Sequence, residues 1–101
     1  MKKIEIDAKR GFDVLESTER GQIATMVLPP GESTGGPENR HEDGDQWMYV
    51  LSGGGRVIVE ENEIEVREND LLLIERGERH EVHCEGDEPF VTMNFYAPPE
   101  Y

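Results

Sequence analysis

QWMYVLSGGGRVIVE, residues 46–60, is the stretch whose reading decides the fold. Two apolar runs, Gln46 to Leu51 and Arg56 to Glu60, flank Ser-Gly-Gly-Gly. Glycine adopts positive φ without steric penalty, so the pattern predicts a pair of strands joined as a hairpin. Just upstream lies Asn39-Arg-His41. Downstream, Gly77-Glu-Arg-His80 opens another apolar run, His80 to Cys84. Two histidines distant in sequence can converge inside one small β-barrel, which is how a metal pocket is built where zinc-finger spacing is lacking.

The rest of the chain reads in the same short units. Gln22 to Leu28 is a strand stopped by Pro29, Pro30 and Gly31, because neither proline can donate to a ladder. Residues 29 to 40 (PPGESTGGPENR) read as one long loop. Further strands are expected over 63–66, 70–74, 80–84 and 90–96, with a short apolar piece at 12–15 and an edge-type strand around Ile4 and Ile6. Helix signals are almost absent. Roughly eight to ten short strands separated by turn residues make an all-β sandwich or barrel.

Length and composition bound the answer further. The 101 residues fit one domain with one modest core. With 35% of residues apolar and 33% charged, core positions must be used efficiently, as in sheets with one dry and one wet face. The single cysteine, Cys84, excludes an internal disulfide framework. No apolar run reaches the length of about 18 residues that suits a bilayer, so no membrane association is expected. The Met-Lys-Lys start has no apolar stretch after it, and a soluble cytoplasmic protein is expected. Acidic residues outnumber basic ones 23 to 10, and a net charge of −13 argues against nucleic-acid partners. The acidic surface is dispersed. It suits a salt-rich cytoplasm, where screening removes self-repulsion, and equally an ordinary acidic bacterial protein.

Period-two alternation assigns faces. If Gln46 points inward, so do Met48 and Val50, leaving Trp47, Tyr49 and Leu51 outside. Such an outer face needs a cover, either the N-terminal strands or a second subunit, and a two-fold homodimer is expected. Likewise His80 shares the inner face with Val82 and Cys84, with Glu81 and His83 opposite.

From about Pro29 to Pro98 the chain resembles the cupin superfamily, small jelly-roll (double-stranded β-helix) barrels with two motifs, G-x5-H-x-H-x3–4-E-x6-G and G-x5-P-x-G-x2-H-x3-N. Anchored on Gly53, the first motif places its glutamate on Gln46, its second histidine on His41 and its first on Asn39. Anchored on Gly77, the second places its histidine on His80, with Asn69 for the leading glycine, Glu75 for proline and Cys84 for asparagine. The resemblance implies one cupin domain over 1–101, with N-terminal strands in 1–28 and the cupin core at about 29–98. It also implies a site of Asn39, His41, Gln46 and His80, with zinc, nickel, manganese, iron or copper as the divalent ion.

Two imidazoles and two amide oxygens make a weaker, less charge-compensating set than three imidazoles and a carboxylate. His41 and His80 either ligate a metal or serve as polar residues of a metal-free pocket, and His41 with Asp43 is an alternative local pair. Met48, Val82 and Met93 are the expected small-molecule contacts, and no catalytic residue is identified. HEVH at 80–83 lacks the helical i, i+4 spacing of a metalloprotease. Cys84 reads as core packing. Two functions follow: a metal-dependent oxygenase or isomerase acting on a small metabolite, or a non-catalytic module binding a small ligand or metal ion.

Overall fold

The computed structural model describes residues 1–35 and 43–101, so Asn39 and His41 lie outside the described residues. The described chain holds nine strands and no helix: β1 (Gly11–Ser17), β2 (Gln22–Leu28), β3 (Ser33–Gly35), β4 (Asp45–Ser52), β5 (Gly54–Val59), β6 (Asn62–Arg67), β7 (Leu71–Ile74), β8 (His80–Cys84) and β9 (Phe90–Ala97). They form two antiparallel sheets, ordered β1-β2-β9-β4-β7 and β3-β8-β5-β6. This is a jelly-roll arrangement, as expected for the all-β class. Among the described residues no helix is long and apolar enough to cross a membrane.

The two runs around Ser52-Gly-Gly-Gly55 are strands, but they are not a hairpin. β4 pairs with β7 and β9, whereas β5 pairs with β6 and β8 in the other sheet. The glycines carry the chain around the barrel corner. Gly53 has φ +75°, and a Cβ there would lie 2.1 Å from the Pro89 carbonyl oxygen. At Gly55 a Cβ would meet the His83 carbonyl oxygen at 2.3 Å and two Phe90 ring carbons at 2.4 Å. The glycine run is thus demanded by close packing of β5 on β8 and β9, a tertiary constraint that sequence reading cannot separate from a tight turn. A hairpin does form between β5 and β6, closed by Glu60 and Glu61, both at positive φ (47° and 71°). Such a pair matches the right-handed twist of the strands it joins.

Two other expectations are corrected. The residues around Ile4 and Ile6 form no strand; Ile4 lines a surface hollow with Ile23 and Phe95 instead. The long loop contains β3, whose Ser33–Gly35 pairs with His83–Glu81. Its three residues, STG, carry no apolar alternation and owe their extended form to β8.

Face assignment follows the pleat. Met48, Val50, Val57, Val82, Cys84 and Phe90 are buried in one core with Met26, Leu28, Val66 and Ile74. On the outer face of the larger sheet, Trp47 stands in register with Leu73 and Phe95, and Tyr49 with Leu71 and Met93. Trp47, Leu71, Leu73 and Phe95 are all exposed, so this outer face is a continuous apolar surface. Asn69 takes the leading glycine position of the second motif and has φ +73°. Asparagine is among the few other residues that tolerate that conformation.

Candidate functional site

The open interior of the barrel is a cavity of about 280 Å³ whose walls include Met26, Thr34, Gln46, His80, Val82 and Tyr96, with Phe12 and Tyr101 toward its edge. His80 begins β8, opposite Val59, and its side chain is 5% exposed. Its Nδ1 lies 3.1 Å from the Glu78 carbonyl oxygen. A carbonyl can only accept, so Nδ1 carries the proton, and in the neutral form of the ring the lone pair falls on Nε2. That tautomer, fixed by a backbone carbonyl, is the one in which a histidine ligates through Nε2. The backbone before it is pinned as well: Arg79 donates through its guanidinium to Glu60 Oε2 at 2.9 Å, and its amide donates to Glu60 Oε1 at 2.9 Å.

Gln46 enters the cavity from β4. Its Nε2 donates to Asn94 Oδ1 at 2.9 Å, and Asn94 Nδ2 donates to Thr92 Oγ1 at 3.1 Å. All three residues are at most 3% exposed. Because the Asn94 amide is committed at both ends, the Gln46 amide is oriented with Oε1 as its acceptor atom. A buried polar chain of this kind stays only where each member has partners, and here it aims one amide.

Among the expected contacts, Val82 lines the cavity and Met48 is fully buried in the core. Met93 faces the other way, in register with Tyr49 and Thr25 on the outer side of the sheet, because β9 places Thr92 and Asn94 inward. Asp43 is exposed. His80 and His83 fall on opposite faces of β8, which removes any metalloprotease-like pairing. Cys84 packs in the core and its Sγ lies 3.3 Å from the Glu88 carbonyl oxygen. The inward polar alternation of β9, Thr92-x-Asn94 between Phe90 and Tyr96, was the available signal for the network that the sequence reading missed.

Burial raises the phenol pKa of Tyr96 far above its ordinary value, and the neighbouring Tyr101 raises it further. Tyr101 is raised too, by burial and then by the Glu100 carboxylate. Both phenols therefore act at this site as neutral hydrogen-bonding groups.

On metal fit, no group of three or more His, Cys, Asp or Glu side chains comes together among the described residues. The described walls contribute one imidazole with its Nδ1 proton tied back and one oriented amide.

Comparison with known proteins bears on this geometry. A family model described as "Cupin domain" matches residues 24–96. The tetracenomycin polyketide synthase protein TcmJ of Streptomyces glaucescens is 30% identical over 69 residues, 68% of this chain and 45% of that protein, so the chain spans a little under half its length. A solved Bacillus halodurans protein superimposes with a TM-score of 0.84 at 27% identity, covering 89% of this chain and 71% of that one. A predicted oxalate decarboxylase from Thermotoga maritima superimposes with a TM-score of 0.79 at 24% identity, covering 87% and 79%.

Proposed function

The chain belongs to the cupin family, and on that premise we propose that its barrel cavity is a small-molecule site where His80, Gln46, Asn39 and His41 hold a divalent metal ion. The observation that carries the reading is the preparation of two side chains on one cavity: His80 with Nδ1–H tied to Glu78, and Gln46 with its amide turned by Asn94. Both are buried polar groups whose orientation is fixed by neighbours, as ligating groups need.

A bound zinc, nickel, manganese, iron or copper ion would supply Lewis-acid or dioxygen chemistry, in keeping with an oxygenase or isomerase of a small metabolite. The chain's own part is to bind, orient and exclude water. Neutral imidazoles and amide oxygens leave the ion's charge uncompensated, which favours an anionic or oxygen-rich ligand. Likeness to a polyketide synthase protein supports a small organic substrate in the same cavity.

A second reading, a non-catalytic small-ligand or metal-binding module, is favoured by one observation. No carboxylate belongs to the described walls of the cavity, so none of them supplies a carboxylate acid or base. We place the protein in the cytoplasm with no nucleic-acid partner. We also assign it a two-fold homodimer through the apolar face of Trp47, Leu71, Leu73 and Phe95, since this area would otherwise stay wet. Sedimentation should give twice the chain's 11.5 kDa, and Leu71→Glu should give the monomer.

The site is tested by thermal unfolding with added divalent ions, together with metal analysis of protein purified without added metal. Ligation to the native state alone raises Tm by mass action. The rise is expected in the wild type and absent in His80→Ala and His41→Ala. A rise that survives both substitutions rejects this ligand set.

A further inference from the structure

One side of the cavity edge is aromatic. Phe12 of β1, Tyr96 of β9 and Tyr101 meet there, with ring centroids 4.7 Å apart for Phe12 and Tyr101, 5.2 Å for Tyr96 and Tyr101, and 6.3 Å for Phe12 and Tyr96. The tilted and edge-on geometries are those favoured by aromatic quadrupoles. Tyr96 is buried, but Tyr101 is 61% exposed and follows the last strand. Its backbone is bonded to Gln22.

Gln22 is a 5% exposed side chain of β2 whose amide is spent on the backbone of this distant segment. Nε2 donates to the Tyr101 carbonyl oxygen at 2.7 Å, and Oε1 accepts from the Tyr101 amide at 2.9 Å and the Glu100 amide at 3.3 Å. Three bonds from one buried amide tie the backbone of this segment to β2. Polar groups line the same cavity: Gln46 stands in register with Tyr96 on the neighbouring strand, and His80 and Thr34 come from the facing sheet. The cavity, about 280 Å³, lies at the lower end of ligand cavities and suits roughly one or two fused rings.

We propose that Gln22 latches Tyr101 as a specificity-determining wall, so that the cavity selects planar aromatic ligands that place a hydroxyl group toward His80 and Gln46. The inference rests on the barrel cavity being the ligand site. A planar ring can pack against the aromatic cluster with its edge or face, whereas a puckered saturated ring of the same skeleton cannot exploit the quadrupoles. The fixed backbone of Tyr101 means that little ordering cost falls on binding.

Two probes of one skeleton test this: 2-naphthol and its saturated counterpart decahydro-2-naphthol, titrated calorimetrically into the whole chain. The wild type is expected to bind the naphthol about tenfold more tightly than the saturated alcohol. Tyr101→Leu, which keeps the backbone latch, and Gln22→Ala, which cuts it, should each reduce that ratio to about threefold or less. Thr34→Trp fills the cavity from an exposed edge strand and should abolish binding of both probes. If both probes still bind Thr34→Trp, the barrel cavity is not the site, and the underlying reading falls. If Thr34→Trp abolishes binding while Tyr101→Leu and Gln22→Ala keep the wild-type ratio, the cavity stands and the latch is refuted. A wild type that fails to bind 2-naphthol, or binds both probes equally, overturns the aromatic preference outright.

Discussion

Asn94→Ala tests the buried network behind the site. In the wild type Asn94 accepts from Gln46 Nε2 at 2.9 Å and donates to Thr92 Oγ1 at 3.1 Å, with Asn94 and Thr92 at 0% exposure and Gln46 at 3%. The substitution strips Gln46 of this acceptor and Thr92 of this donor at a site shielded from bulk solvent. Each such loss costs about 1–3 kcal/mol, so about 2–6 kcal/mol is expected in total, a large part of the ~5–15 kcal/mol that holds a small domain together. With a urea m-value near 1.5 kcal/mol/M, the unfolding midpoint should fall by about 1.3–4 M. Urea melts followed by circular dichroism measure it.

A double-mutant cycle adds specificity. Gln46→Leu with Asn94→Leu removes both partners, and because two apolar groups leave no orphaned amide between them, the double variant should recover about 1–2 kcal/mol relative to the sum of the single ones. Asn94→Ala should also weaken metal or ligand binding by freeing the Gln46 amide to rotate. A midpoint shift below about 0.3 M, or strict additivity in the cycle, would refute the view that this chain of bonds orients Gln46.

Gln46→Glu should tighten divalent metal by about tenfold, or 1.4 kcal/mol, by restoring a charged oxygen, while lowering metal-free stability because a carboxylate oxygen would confront Asn94 Oδ1. Calorimetry and urea melts read the two effects, and an unchanged metal Kd removes Gln46 from the ligand set. Gly55→Ala should cost about 3 kcal/mol or prevent folding, since the new methyl meets the His83 carbonyl and the Phe90 ring at once; a midpoint within error of wild type contradicts the corner packing. Tyr96, whose folded pKa is raised, should resist ionisation while the unfolded chain loses that proton at about pH 10, so stability falls as pH climbs past that point. Phenolate absorbance should therefore show Tyr96 ionising only as the protein unfolds, and all three tyrosines titrating in the native state would disprove it.

Much of the fold was legible because a strand's side-chain period is two and its burial is one-sided. Alternation alone placed Gln46, Met48 and Val50 inward and Trp47 and Tyr49 outward, and separated His80 from His83 across β8. Spacing to Gly53 and Gly77 carried the cupin resemblance that the family model over residues 24–96 establishes.

What alternation cannot encode is which strands become neighbours. Gly53 to Gly55 read as a hairpin, yet they turn a corner between two sheets, because the close approach of the Pro89 and His83 carbonyls and the Phe90 ring appears only once β9 and β8 are in place. For the same reason Met93 falls outside, β3 forms on the edge of β8, and Asn94 reaches Gln46 across 48 positions of sequence. Residue type and period thus determined which side of each strand is dry and which residues could carry chemistry. Long-range pairing, where close packing offsets the entropy of closing large loops, decided which of those residues share a cavity.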